Sequence, residues 1–86
     1  MKIVLDLLAF MPTRAHEYDA GLDLYSASDD VYIYPGGSEL FDTGVHIQLP
    51  KNTVGFLKSK SGLNVKHGIT SEGVIDVGYT GSIMVK

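Results

Sequence analysis

An all-β fold, one sandwich or barrel of short strands, is what this sequence predicts, and three features carry the expectation. Apolar and polar residues alternate with period two in several short runs. Between the runs stand turn clusters, YPGGSE, LPKNT and DVGYTG, that supply Gly, Pro, Asn or Asp where φ is fixed or positive. No long stretch keeps a 3.6-residue period with caps, and the ten glycines would weaken any helix laid across them.

Taken in order, the opening MKIVLDLLAFMP reads as a strand. Asp6 interrupts its apolar run, no small-residue cleavage site follows, and it falls far short of the roughly 20 residues of a membrane span. In AGLDLYS, Gly21 lets the backbone turn into a strand whose Leu22 and Leu24 share one face, leaving Asp23 on the other. Val31 and Ile33 then alternate with Tyr32 and Tyr34, and Val45, Ile47 and Leu49 with His46 and Gln48. Val54 and Phe56 mark a further half-buried strand, followed by the basic loop KSKSGLNVKHG. Val74 and Ile75 anchor a strand that ends at Asp76, and SIMVK starts another as it leaves a hairpin, with an edge that needs cover from more chain or from a partner. No repeat, low-complexity run or linker divides the sequence, so residues 1–86 are expected to form one domain.

Composition narrows the function. The chain has 86 residues, 44% of them hydrophobic, which suits a soluble globular domain with a thin core. Such a core predicts help from partner subunits. There are no cysteines, which removes disulfides, thiolate metal sites and cysteine nucleophiles, and fits a reducing compartment. With a formal net charge of −3, the broad attraction that drives nonspecific nucleic-acid binding is missing. Any phosphate site must be local, and neither nucleic acid nor a membrane is an expected partner.

Three stretches carry chemistry. Asp23 in AGLDLYS faces away from the leucines, and by itself reads as a solvated strand aspartate. In LKSKSGLNVKHG, Lys58, Lys60, Lys66 and His67 form the densest basic patch, interleaved with Ser59, Ser61 and Gly62. Phosphate oxygens accept hydrogen bonds from ammonium, hydroxyl and backbone N–H groups, and a glycine admits close backbone approach. The alternative is a basic loop in solvent; the glycine spacing is not that of a Walker A loop. In GVIDVGYTG, a tight turn through Gly78 brings Tyr79 back toward Asp76. A carboxylate at the lip of a pocket can take a proton from water and direct it at phosphorus, while a tyrosine ring offers a flat wall to a sugar or base. A plain hairpin with a turn-favouring Asp fits the same residues, and both readings stay open at this level.

With all three in view, the chain resembles the trimeric deoxyuridine triphosphatases, which convert dUTP to dUMP and pyrophosphate. PTRAHEYDAGLDLYS looks like the family's first motif, KSKSGLNVKHG its second and GVIDVGYTGSI its third, in the family's order and spacing from Pro12 onward. The resemblance implies a jelly-roll-like distorted β-barrel, incomplete at its C-terminus, in a homotrimer whose active sites are shared between subunits. It implies that Asp76 orients and activates the water that attacks the α-phosphorus, and that Tyr79 packs on the deoxyribose where a 2′-hydroxyl would collide. Lys60, Ser61 and Gly62 fall where the family sets Arg-Ser-Gly against the phosphates. Backbone groups of the hairpin around Asp76 would read the uracil edge, with Val74, Ile75 and Met84 among the substrate-binding positions. Asp23 matches the first-motif acid, which acts on Mg2+ through water, the ion being held chiefly by the phosphates. The localisation implied is cytoplasmic, of bacterial or phage type.

The sequence also departs from the family pattern. Lys60 replaces the usual arginine, exchanging a bidentate fork for a point charge of the same sign. Ser82 stands where an acidic or amide residue is common after Tyr-x-Gly. A fourth motif with phosphate contacts and a glycine-rich fifth motif that closes over the nucleotide are absent from the 86 residues. The primary expectation is a dUTP diphosphatase subunit. A truncated, non-catalytic nucleotide-binding or interaction protein of the same family is the alternative, and a relative of the dCTP deaminases, which share the fold, comes third.

Overall fold

Six short strands and one helix organise the chain in the computed structural model, which describes residues 1–86. In chain order they are β1 (Lys2–Leu5), β2 (Phe41–Asp42), β3 (Val45–Gln48), β4 (Gly55–Lys58), α1 (Ser61–His67), β5 (Glu72–Ile75) and β6 (Met84–Val85). They pair as three antiparallel ladders, β1 with β3, β2 with β6 and β4 with β5. Every pair but β4–β5 joins residues from distant parts of the sequence. The ladders stay two-stranded, so the sheet does not close into a continuous barrel.

Val45, Ile75 and Ile83 form the buried centre, and Ile3, Leu5, Leu24, Ile47, Leu49, Leu57 and Val85 pack around them. Alternation supplies this directly, since Val45 and Ile47 lie on the inward face of β3, and Ile3 and Leu5 stand opposite them on β1. Thr43 is the buried polar residue that ties two ladders together. Its hydroxyl donates to the Ile83 carbonyl at 2.7 Å and accepts from the Val45 N–H at 3.2 Å, while Ile83 N–H donates to the Val45 carbonyl at 2.8 Å. The segment leading into β6 is thereby fixed against β3 across nearly half the chain.

Four sequence expectations are corrected. The stretch Val31–Tyr34 forms no strand: it has strong β formers but finds no neighbouring backbone to pair with. On β4 the inward residue is Leu57, which packs on the core, whereas Phe56 is 67% exposed, so the phase of that strand is the reverse of the one predicted. The basic loop contains the helix α1, ended by Gly68 at φ +66° with Lys66 and His67 in its last turn. Finally, β6 pairs with β2 and β5 with β4, so SIMVK does not return along the strand that precedes it.

Candidate active site

Asp23 is placed by a two-way backbone bridge. Its N–H donates to the Thr13 carbonyl at 2.7 Å, and Thr13 N–H donates back to the Asp23 carbonyl at 3.1 Å. With Leu24 committed to the core, the Asp23 carboxylate turns outward. Lys60 immediately precedes α1, and its ammonium reaches that carboxylate at 3.2 Å. The pair joins the first and second motif stretches. Both side chains are partly exposed, 64% for Lys60 and 35% for Asp23, so the contact is worth about 1 kcal/mol or less and serves more to orient the lysine than to stabilise the fold. A cleft of about 280 Å³ lies beside it, floored by Leu22, Leu24 and Leu57 and rimmed by Lys58, Ser59 and Lys60. Ser61 and Gly62 are adjacent, in the first turn of α1, but do not line the cleft. Lys66 and His67 are in the last turn of α1 and do not line it either, so the basic patch is divided.

The third stretch builds a second cavity of about 230 Å³, which meets the first at Leu57. Val74, Ile75, Asp76, Tyr79 and Met84, all singled out by sequence, line it together. Buried Ile75 fixes the end of β5, and the Tyr79 N–H closes a turn onto the Asp76 carbonyl at 3.1 Å. That turn needs glycine at Gly78, where φ is +98°. Gly81 makes room for the ring: a Cβ there would sit 2.6 Å from the Tyr79 hydroxyl, because the ring folds over the turn and its hydroxyl donates to the Ser82 carbonyl at 2.7 Å. Asp76 and Tyr79 therefore share a cavity wall, with the tyrosine hydroxyl committed elsewhere.

Residues that sequence reasoning missed hold this turn in place. Ser82 donates to the Asp42 carboxylate, which also accepts from Gly44 N–H at 2.9 Å. The Ser82 bond, then the Gly44 bond, hold the Asp42 carboxyl below its usual range. This gives Ser82 a structural role. His46 lies between the Thr80 carbonyl, 2.7 Å from Nδ1, and Asp6 Oδ1, 2.9 Å from Nε2. The His46 contacts and the Ser82–Asp42 bond span 34 to 40 positions, so no local pattern signals them.

The two cavities adjoin at Leu57, which lines both, but the acid and the lysine singled out in them lie toward opposite ends of one ladder. The β4–β5 register pairs Gly55 with Ile75 and Lys58 with Glu72, which sets Asp76 beyond one end and Lys60 beyond the other. Counted along the strand, some six residues at about 3.3 Å each separate them, or about 20 Å. Each cavity alone also falls below the roughly 300–1,000 Å³ of a small-molecule site. No three His, Asp or Glu side chains converge as a metal-binding group.

The family model for dUTPase matches residues 9–86, all three motif stretches included. This chain belongs to the dUTPase family. Among related dUTPases, the deoxyuridine 5′-triphosphate nucleotidohydrolase of Clostridium kluyveri is 51% identical over 80 residues, covering 90% of this chain and 55% of that protein. The Trichodesmium erythraeum enzyme of the same name is 48% identical over 82 residues, covering 92% and 57%. The chain thus spans about half the length of the curated relatives it matches. Solved dUTPases share its fold: that of Staphylococcus bacteriophage 80alpha with dUPNHPP superposes with a TM-score of 0.88 at 35% identity, over 98% of this chain and 50% of that one. A mutant dUTPase from phage phi11 of S. aureus, described for its coordination of a structural Mg(II) ion, gives 0.87 at 35% identity over 98% and 56%.

Proposed function

We propose that this chain is a subunit of a dUTP diphosphatase that hydrolyses dUTP to dUMP and pyrophosphate, at sites shared between subunits of a homotrimer. The observation that carries the reading is the division of the motifs. Asp23 and Lys60 meet at one cleft, Asp76 and Tyr79 share another, and the ladder holds the two pairs about 20 Å apart. That spacing argues against both pairs of one copy acting on one triphosphate. A second copy can complete the site by setting its Asp76 end against the first copy's Lys60 end.

In that arrangement Lys60 supplies positive charge to the phosphates, and an arriving phosphate competes with Asp23 for it. Ser61 and Gly62 contribute first-turn N–H groups that have no partner within α1. Asp76, held at the end of β5, accepts a proton from the attacking water and aims its oxygen at the α-phosphorus, whose bond to the bridging oxygen breaks to release pyrophosphate. The Tyr79 ring walls the deoxyribose, and the backbone from Val74 and Ile75 round to Met84 reads the uracil edge, where an unmatched cytosine leaves polar groups unpaired. Magnesium fits this donor set as an ion held by phosphate oxygens, because no three His, Asp or Glu side chains converge to hold it without them. Asp23 would face it through water, and the ion when bound neutralises phosphate charge. The bacterial and phage sources of the relatives support a cytoplasmic setting of bacterial or phage type.

The test is pyrophosphate release from dUTP with Mg2+ by the chain and by Asp76→Asn. A positioned general base contributes roughly 10²–10⁴-fold, so the variant should lose that much rate while still binding an imido analogue of dUTP. Normal hydrolysis by Asp76→Asn would overturn the assignment of the base. Analogue binding with no release from the parent would favour the non-catalytic alternative.

A further inference from the structure

His46 stands between two groups that can only accept. Its Nδ1 is 2.7 Å from the Thr80 carbonyl and its Nε2 is 2.9 Å from a carboxylate oxygen of Asp6. A neutral imidazole carries one N–H and can satisfy only one of them; an imidazolium donates to both. We propose that His46 is a positioning residue for the Tyr79–Ser82 turn, clamping it to β1 and β3 through the Thr80 carbonyl while the ring carries both protons. The proposal rests on the reading of that turn as part of the nucleotide site.

The anchorage is well defined at the other end. His46 pairs with Val4 in the β1–β3 register, and Asp6, just beyond β1, donates its own N–H to the Gly44 carbonyl at 2.8 Å. The histidine therefore joins three separate segments: the exit from β1, β3 itself, and the turn that carries Tyr79. The charged groups acting on the ring are Asp6 and, from β2, Asp42. Both are acidic and both favour the charged ring. The Thr80 carbonyl first, and then Asp6, raise the His46 pKa above its ordinary 6.5, against a smaller opposing effect of desolvation. A raised folded-state value means that the clamp is complete below pH 6.5 and is lost as the pH rises through that raised value. Nucleotide affinity at the turn should weaken in the same direction. Thr80 is the neighbour of Tyr79, so a loosened carbonyl there displaces the ring that walls the sugar.

The experiment is an NMR pH titration of the labelled chain, following the His46 ring and the Gly81 amide. The Gly81 N–H belongs to the same peptide unit as the Thr80 carbonyl, so its shift reports the hydrogen bond to His46. Both signals should move with one midpoint above 6.5. His46→Gln should abolish the Gly81 inflection while the remaining amides keep their dispersion, and Asp6→Asn should lower the His46 midpoint. A flat Gly81 signal, or an inflection that survives His46→Gln, overturns the clamp. An imido analogue of dUTP titrated in parallel should bind several-fold more weakly above the midpoint in the parent, with that loss removed in His46→Gln; the analogue's own phosphate ionisation is common to both proteins and cancels. Equal pH dependence in the two overturns the link to the site. An absence of analogue binding at any pH overturns the nucleotide reading instead, and the Gly81 signal alone then decides the clamp.

Discussion

Tyr79 is anchored through both its side chain and its backbone. Its hydroxyl is tied to the Ser82 carbonyl and its backbone to the Asp76 carbonyl, so the ring is held against the turn at both ends although 47% of the residue is exposed. A ring fixed this way excludes volume at a defined place, which is how one hydroxyl can be told from none. Exclusion by shape discriminates modestly, by roughly 1–3 kcal/mol, or 10- to 200-fold. The chain should bind dUTP that much more tightly than UTP, and Tyr79→Ala should bring the two affinities together, as measured by calorimetry with imido analogues of both nucleotides. Equal affinities in the parent would remove Tyr79 from the sugar wall. The sequence made Asp76 and Tyr79 legible because they are the two ends of one four-residue turn, and local geometry forces such residues together. His46, Asp42 and Asp6 were not legible, because only tertiary folding brings them to the turn.

Among the elements, the Asp76–Ser82 turn shows how a glycine can serve specificity more than stability. A methyl group at Gly81 would lie 2.6 Å from the Tyr79 hydroxyl and 2.8 Å from its ring carbon Cζ, but the obstacle is the end of a partly exposed side chain that can swing outward. Gly81→Ala should therefore cost only about 1 kcal/mol of stability, the worth of the Tyr79–Ser82 bond, while losing most of the preference for dUTP over UTP. Thermal unfolding beside the two affinities checks this; a large drop in melting temperature with the preference intact would contradict it. The strand readings fared unevenly for a related reason. Alternation located β3, and apolar runs marked β1 and β5, but on β4 both Phe56 and Leu57 are apolar, and period alone does not say which face a core covers. Helix α1 is too short for its period to register, although Gly68 after a basic last turn is a helix-stop signal that could have found it.

For the molecule as a whole, the deciding fact is how little of it is buried: six of 86 residues, with Val45, Ile75 and Ile83 the apolar core among them. On the β4–β5 ladder, Phe56 and Val74 are register partners, 67% and 64% exposed, and they form an exposed apolar pair bordering both cavities, Phe56 on the first and Val74 on the second. Burying such side chains is worth about 1.5–3 kcal/mol each, which association can recover and an isolated chain forgoes. The same ladder separates Asp76 from Lys60, so assembly would both cover its bare face and supply the missing half of each site. Light scattering should accordingly give the mass of three 9.3 kDa chains. Phe56→Glu places a charge on that exposed pair and on the wall of the Asp23–Lys60 cleft, and should shift the mass to a single copy and abolish pyrophosphate release together, the mass being the readout that a change confined to the cleft would not move. A monomeric Phe56→Glu that still hydrolyses dUTP at the parent rate would mean that one chain holds a whole site. The distance read along β4–β5 would then have to be bridged within the copy, and the case for shared sites would fall with it.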